Sequence, residues 1–263
     1  MTFTGFKVEY PEYEVITPQT KQSFTLRSLN VSEEENLKGS LVTPNKIADH
    51  LNNCLFKAMV KRPEGISSLQ DYLKAVTLKD RDALLYGLYH ITYEEIRNYQ
   101  VKCTDCRHEY GVTVQASSTF NFNPYPGDNI IAERINFELP VTKGVFVKIK
   151  QPTLFDEVTG IKTLGVRPGT TLDLITETLI IEEFTQDVPE RKEPLVYDER
   201  VDVMDAYMSL PARDKRAIFK KYSEKFGQYG IDLKMQSSCA NCGNEDVHNI
   251  DLVESFFRSL YSA

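Results

Sequence analysis

Apolar residues recur at helical spacing through much of the first hundred residues, and this pattern predicts helices over most of 44–95. A proline and a glycine near residue 64 end the first helix. The second follows a serine with an aspartate three positions later, the signature of a capped start. The three helices are expected to begin at Pro44, at Ser68 and at Asp80 or Asp82. We therefore expect a small helical bundle.

The segment before this bundle is mostly polar and predicts extended chain. Phe24–Leu29 alternates apolar and polar residues and predicts a short strand. Ser32, with Glu35 three positions later, predicts the start of another helix. We assign residues 1–98 to a first part, an N-terminal strand and helical region.

After residue 98 the apolar period changes from helical to alternating. Two short alternating runs flank a Cys-x-x-Cys sequence at 103–106, which predicts strand, tight turn, strand. The same order returns around a second Cys-x-x-Cys sequence at 239–242. We interpret these as two zinc-knuckle hairpins, the first at 99–118 and the second, with a C-terminal segment, at 231–263.

The chain between the hairpins, 119–230, predicts a mixed β and helical insertion. A strand at Val145–Ile149 precedes a capped helix start at Thr153, and two more helices follow residue 200. Residues 171–183 are apolar enough to be buried, but the pattern does not decide between helix and strand. A charged stretch at 187–198 predicts an exposed connection. The predicted fold class is α+β: helical bundle segments with two CxxC β-hairpins forming a split zinc ribbon.

Composition and charge narrow the function classes. The chain of 263 residues is 41% apolar and 26% charged, and its formal net charge is −7. An acidic chain argues against a protein that coats nucleic acid, because such binding needs a strongly basic face. No apolar run is long enough for a membrane span, and the first residues lack the pattern of a signal peptide. We therefore expect a cytoplasmic protein without a membrane partner.

The five cysteines carry the most specific chemistry. Four form the two Cys-x-x-Cys pairs, and a tetrahedral Zn²⁺ is satisfied by four thiolates from two such turns. We expect one structural zinc per chain, although 132 residues between the pairs exceed the spacing of a compact ribbon. A redox dithiol in each half and two unrelated buried pairs are the alternatives. The predicted ligands are Cys103, Cys106, Cys239 and Cys242.

The remaining cysteine and the histidines have simpler interpretations. Cys54 shares a helical face with apolar residues and is expected to be a buried structural thiol. His108 and His248 lie near the Cys-x-x-Cys pairs and are substitute ligands in principle, but surface positions are favoured. His50 and His90 have no acidic or nucleophilic partner at motif spacing.

No feature of the sequence indicates an enzyme or a site for a small-molecule substrate. Four cysteines form a closed ligand set, whereas catalytic zinc keeps an open position. The sequence contains no HExxH, GxSxG, Walker or GxGxxG motif. We therefore expect no catalytic residue and no nucleophile–base pair.

The order of the segments resembles the baseplate hub proteins of T4-like contractile-tailed bacteriophages, over roughly residues 24–261. The likeness is carried by the strand and acidic helix start at 24–35, by 79–89, by the first Cys-x-x-Cys at 101–106, by 209–214, by 230–243 and by 256–260. The order of these pieces and the long interval between the two knuckles are more specific than any single piece.

The resemblance implies a structural or assembly role at the centre of a phage baseplate. It implies a zinc-stapled scaffold that binds other baseplate and tail proteins, in the host cytoplasm during assembly or in the tail of the virion. The alternative class is a nucleic-acid-binding zinc ribbon. Lys102 and Arg107 would suit that role, but Glu245 and Asp246 beside the second knuckle argue against it.

Overall fold

The computed structural model describes residues 8–40, 44–93, 96–115, 121–189, 191–232 and 234–249. The predicted C-terminal segment after residue 249 lies outside the described residues. Helices and small antiparallel sheets alternate along the described chain, and this confirms the expected mixture of helix and sheet.

The N-terminal part contains the three helices predicted over 44–95, but they pack on a three-stranded antiparallel sheet of which the sequence predicted one strand. Its elements are β1 (Glu12–Ile16), β2 (Ser23–Arg27), α1 (Val31–Ser40), α2 (Pro44–Ala58), β3 (Met59–Lys61), α3 (Leu69–Ala75) and α4 (Leu78–Tyr93). The sheet order is β1-β2-β3, and β2 is the predicted strand. The helices bury Phe24 and Leu26 of β2 completely. The strand β3 was not predicted, because three residues directly after a helix are too few to show the alternation of apolar and polar residues that marks a strand.

Side-chain caps set the starts of two of these helices. Ser68 and Asp71 form the capping box predicted for α3. The helix α1 is capped by Asn30, whose Oδ1 accepts from the backbone N–H of Glu33, while Glu33 Oε2 accepts from that of Asn30, both at 3.0 Å. The predicted cap at Ser32 is therefore wrong, because that residue already lies inside the helix.

The helix α4 begins at Leu78, two residues before the earliest predicted start. Thr77 Oγ1 accepts from the backbone N–H of Asp80 at 3.1 Å. The Asp80 carboxylate instead binds a distant turn, accepting from the N–H of Gln19 at 2.7 Å and from the N–H and hydroxyl of Thr20 at 3.0 and 2.7 Å. Burial raises the pKa of Asp80 to about 6, although these hydrogen bonds lower it.

The helix α4 contacts two different parts of the chain. A Cβ added to Gly87 would lie 2.3 Å from Cγ2 of Val15, so glycine allows the close approach of α4 to β1. The neighbouring Tyr86 is buried against Met235 in the second half of the chain. This helix therefore joins the N-terminal sheet to the region of the second cysteine pair.

The middle of the chain forms a four-stranded antiparallel sheet with helices packed against it. Its elements are β7 (Arg134–Glu138), β8 (Val145–Lys150), α5 (Leu154–Leu164), α6 (Leu172–Leu179), β9 (Ile181–Gln186), β10 (Leu195–Tyr197), α7 (Arg200–Ser209) and α8 (Ala212–Tyr222). The order is β10-β9-β8-β7. Thr153 caps α5 as predicted, with Asp156 completing the capping box.

The stretch 171–183, which the sequence left undecided, contains both kinds of structure. Thr171 caps α6, and the chain then enters β9 at Ile181. The predicted exposed connection at 187–198 includes the short edge strand β10. The sequence could not separate a helix and a strand that are joined by one residue, because one apolar run covers both.

A second buried aspartate ties this sheet to a helix. Asp214, in the first turn of α8, accepts from the backbone N–H groups of Val141 and Thr142 at 2.8 and 3.0 Å and from the Thr142 hydroxyl at 2.6 Å. The arrangement repeats that of Asp80: one carboxylate holds a turn by two N–H groups and a threonine hydroxyl. Such charge-assisted bonds are stronger than neutral ones.

The remaining strands form two-stranded pairs. They are β4 (Ile96–Lys102) with β5 (Glu109–Gln115), β6 (Asn121–Asn123) with β11 (Gly230–Asp232), and β12 (Lys234–Ser238) with β13 (Glu245–Asn249). The sequence predicted loop at 119–130 and missed β6, which pairs with a strand more than a hundred residues later. Within the described residues, no helix combines the length and apolar character that crossing a membrane requires.

Candidate metal centre

Each Cys-x-x-Cys pair lies in the turn between two antiparallel strands. In the first, Lys102 pairs with Glu109 and leaves six residues for the turn. In the second, Ser238 pairs with Glu245 and leaves a turn of the same length. Equal registers therefore give both cysteine pairs the same position relative to their strands.

The first turn is closed by backbone hydrogen bonds. The N–H of Cys103 donates to the carbonyl of His108 at 2.9 Å, and the N–H of Arg107 donates to the carbonyl of Cys103 at 3.1 Å. Arg107 has a φ of 60°, in the left-handed region that side chains other than glycine rarely adopt. The turn thus holds Arg107 in a strained conformation directly after the second cysteine.

The second turn repeats this pattern with a better-suited residue. The N–H of Cys239 donates to the carbonyl of Asn244 at 2.9 Å, and that of Gly243 donates to the carbonyl of Cys239 at 2.8 Å. Gly243 has a φ of 73° and occupies the position of Arg107 in the first turn. The two turns are therefore structural repeats.

The fold brings the four predicted cysteines together. Their sulfur atoms all lie within 4.8 Å of one another. Cys103 Sγ is 3.6 Å from Cys242 Sγ, and Cys106 Sγ is 3.7 Å from Cys239 Sγ, so both close pairs join the two hairpins. Zn–S bonds of about 2.3 Å in a tetrahedron separate the sulfurs by about 3.8 Å. The cluster has the dimensions and donor set of a site that could hold a metal ion.

The four sulfurs are not equally accessible. Cys103 and Cys239 are 1% and 2% exposed, whereas Cys106 and Cys242 are exposed. Tyr110 packs against the buried pair from β5. The cluster therefore has an inner face in a small apolar core and an outer face open to solvent.

Electrostatics favour a cation at this position. Asn241 Nδ2 donates to Cys106 Sγ at 3.6 Å, and this bond first, with a backbone bond next, lowers the pKa of Cys106 to about 6. The N–H of Asn244 lowers the pKa of Cys242, but the neighbouring thiols raise it to about 12. One thiolate opposes the ionisation of the next, and a positive ion between the four sulfurs would offset that opposition.

Three polar residues around the cluster were not found from the sequence. Thr104 and Asp246 hydrogen bond to each other across the hairpins, and Asn244 donates to Cys103 Sγ at 3.9 Å. The sequence identified Asp246 only as an acidic residue beside the second knuckle, and the structure shows that it is 5% exposed. No sequence signal identifies such partners, because their roles depend on the docking of two segments that are distant in the chain.

The structure also contains a hydrogen-bonded serine–histidine pair, which the sequence analysis did not expect. Ser237 Oγ lies 2.9 Å from His248 Nε2 in the second hairpin, and Tyr110 OH lies 2.7 Å from the same Ser237 Oγ. The cross-strand register brings them together, not a sequence motif. The hydroxyl of Ser237 thus links the two hairpins as well as contacting the histidine.

Cys54 is only half-buried, so the prediction of a buried thiol holds only in part. It packs at the edge of the N-terminal core. Burial raises its pKa to about 12, which keeps the thiol protonated at neutral pH. It lies outside the four-cysteine cluster. His108 is exposed, as expected, and contributes its backbone carbonyl to the first turn.

One comparison with known proteins gives a match. The model of a family described as T4 bacteriophage base plate protein matches residues 10–258, which is most of the chain. Neither a curated protein nor a solved structure matches the chain.

Proposed function

The chain belongs to the family of T4 bacteriophage base plate proteins, and on that premise we propose that it is a hub subunit of a contractile tail baseplate, stapled by one zinc ion. Membership supports a structural protein of the phage tail that interacts with other tail proteins. The hub position, the bound zinc and assembly in the host cytoplasm go beyond family membership and are what we propose.

The observation that carries the zinc is the four-thiol cluster. Tetrahedral sets of four sulfurs are typical of Zn²⁺ or of iron–sulfur centres, and a closed set of four cysteines is typical of structural zinc. The cross-hairpin sulfur distances of 3.6 and 3.7 Å match the edge of such a tetrahedron. We assign Cys103, Cys106, Cys239 and Cys242 as the ligands.

The ion would stabilise the chain rather than react. When bound, it neutralises the thiolates and adds binding free energy that exists only when both turns meet. The ligands come from segments 133 positions apart, so the ion would join the first hairpin to the last described strands. Closing a loop of this many residues costs little more conformational entropy than closing a short loop, because the cost grows with the logarithm of the number of residues.

The proposed subunit has no catalytic role. The family is one of baseplate proteins, and the four-cysteine set offers no open coordination position. The Ser237 hydroxyl near His248 is also held by Tyr110, which favours a structural link between the hairpins over an activated nucleophile. A hydrolytic turnover that Ser237→Ala abolished would contradict this part of the proposal.

Metal analysis of the purified full-length chain tests the zinc. We expect one zinc per chain, loss of that zinc in Cys103→Ser and in Cys239→Ser, and retention in the control Cys54→Ser. A chain without zinc, or two metal ions held independently by the two cysteine pairs, would refute the shared site.

Co-expression with the complete set of baseplate and tail proteins of the same phage tests the partners. We expect the chain to co-purify with at least one of them and to show no binding to duplex or single-stranded DNA at moderate salt. If no baseplate protein is recovered, the hub assignment is wrong. A gel shift of DNA at that salt would favour the nucleic-acid alternative.

A further inference from the structure

The two hairpins are joined by hydrogen bonds that do not involve sulfur. Thr104, inside the first Cys-x-x-Cys turn, donates its N–H to Asp246 Oδ2 at 3.1 Å and its hydroxyl to Asp246 Oδ1. Asn244 Nδ2 donates to Asp246 Oδ1 at 2.9 Å and to Thr104 Oγ1 at 3.2 Å. We call Thr104, Asn244 and Asp246 the clasp. It connects the first turn directly to β13.

The burial of Asp246 makes these contacts strong. The residue is 5% exposed, and its ionised carboxylate accepts three of the four hydrogen bonds of the clasp. Hydrogen bonds to an ionised acceptor are about twice as strong as neutral ones.

A second set of contacts holds the hairpins together along the strands. Tyr110 of the first hairpin reaches Ser237 of the second at 2.7 Å. Val101 and Val112 of the first hairpin pack beside Met235 of the second in a small apolar cluster. The thiols therefore lie between a polar clasp at the turns and an apolar contact along the strands.

Among the described residues, two other aspartates hold a distant turn in a related way, although Asp246 accepts from one backbone N–H, one threonine hydroxyl and one amide. Asp80 and Asp214 each accept from two backbone N–H groups and a threonine hydroxyl of a distant turn. In all three places one carboxylate fixes the position of a turn. Only at Asp246 does that turn carry cysteines, and Thr104 lies directly beside Cys103.

We infer that Asp246 is a positioning residue for the metal site: through Thr104 it docks the first Cys-x-x-Cys turn onto the second hairpin and assembles the four thiols before the metal binds. The inference rests on the proposed zinc function. Its consequence is that the metal-free chain is already closed at the hairpins. Metal binding then fills an assembled site and does not have to bring the turns together.

Zinc affinity of the full-length chain tests the inference, measured by competition with the chromogenic chelator 4-(2-pyridylazo)resorcinol. Mutation of a polar residue that hydrogen bonds to a metal ligand typically weakens metal affinity by about 10–100-fold. We expect a weakening of that size in Asp246→Asn and in Thr104→Val, with faster zinc release. Thr104→Ser keeps both the N–H and the hydroxyl and is expected to retain nearly wild-type affinity.

Asp214→Asn is the matched control, because it alters another carboxylate that holds a turn through backbone N–H groups and a threonine hydroxyl, far from the thiols. It should lower thermal stability without changing zinc affinity. The absorption spectrum of the Co²⁺-substituted chain adds a readout of ligand geometry, and we expect its visible bands to shift in Asp246→Asn but not in Asp214→Asn. Wild-type affinity and an unchanged cobalt spectrum in a folded Asp246→Asn chain would overturn the inference.

The metal-free chain provides an independent test. Dibromobimane bridges neighbouring thiols, and peptide mapping then identifies which cysteines it has joined. In metal-free wild-type chain we expect rapid bridging between the hairpins, and in Thr104→Val we expect slower bridging. Thr104→Val is the milder change and keeps the test available if Asp246→Asn does not fold. Equal rates would overturn the assembly role. A wild-type chain that bridges rapidly but binds no zinc would instead refute the proposed function.

Discussion

Replacing Gly87 by alanine should destabilise the protein even though alanine favours a helix. The added Cβ would lie 2.3 Å from Val15 Cγ2, 3.3 Å from Tyr13 Cδ1 and 3.5 Å from Leu26 Cδ1. Two carbon atoms in contact normally lie about 3.5–4.0 Å apart. The first of these distances is therefore too short by about 1 Å, and α4 or β1 has to move.

The size of the effect follows from two opposed contributions. Alanine in place of glycine within a helix stabilises by about 1 kcal/mol. A methyl group forced into a well-packed core costs about 1–3 kcal/mol. Val15 is 3% exposed and belongs to a paired strand, so it has little room to turn away. The difference is a net loss of about 0–2 kcal/mol in the free energy of unfolding, and the confined position of Val15 favours the upper end of that range.

A double-mutant cycle in urea identifies the contact. Val15→Ala alone removes two buried methyl groups and should cost about 2 kcal/mol. Combined with it, Gly87→Ala should cost little or should stabilise, because its methyl group enters the space that Val15 leaves. Gly160→Ala is the control: its Cβ would lie 2.8 Å from Cδ2 of Leu179, the end of a side chain, and 3.4 Å from Cγ2 of Ile175, and a smaller loss is expected.

Two results would refute this reasoning. If Gly87→Ala stabilised the chain by the full helix-propensity gain, the close approach of α4 to β1 would not exist in solution. If the losses from Gly87→Ala and Val15→Ala were additive, the two residues would not be in contact.

Three further predictions concern other parts of the molecule. Because burial raises the pKa of Asp80 to about 6, the folded state binds the proton of this carboxyl more tightly than the unfolded state does. Protonation of Asp80 therefore stabilises the folded state by about 3 kcal/mol, and this contribution is complete below about pH 4 and is lost as the pH rises through 6. Urea unfolding at a series of pH values should show this dependence in the wild type and not in Asp80→Asn. In metal-free chain, diamide should form disulfides between the hairpins, joining Cys103 to Cys242 and Cys106 to Cys239, and peptide mapping that found only links within a turn would contradict the cluster geometry. Thr153→Ala removes the capping box of α5 and should lower the free energy of unfolding by about 0.5–2 kcal/mol; thermal melting with no change would mean that the cap is not formed.

The sequence predicted best those features that depend on neighbouring residues. The capping boxes at Ser68 and Thr153 were found because each cap and its partner lie three positions apart. The two hairpins were found because strand, turn and cysteine pair are contiguous. The four cysteines were chosen from the chemistry of zinc, and the fold brings them within 4.8 Å of one another.

Features that depend on distant segments were missed. The three-stranded N-terminal sheet needs β3, which is too short to show a period, and β6 is a strand only because it pairs with β11. Asp80 was taken for a helix start, because an aspartate near a helix N-terminus is normally a cap; here its carboxylate binds a turn sixty residues away. The contact of Asp246 was not predicted either, because its partner Thr104 is 142 positions away.

The long interval between the two cysteine pairs has a consequence during synthesis. Ribosomes add roughly 5–20 residues per second, so the first pair exists for roughly 7–27 s before the second has been made. During that time Cys103 and Cys106 have neither their partner thiols nor the carboxylate of Asp246, which lies further still along the chain. The nascent chain therefore presents a bare dithiol that remains open to metals and oxidants until the second hairpin has been made.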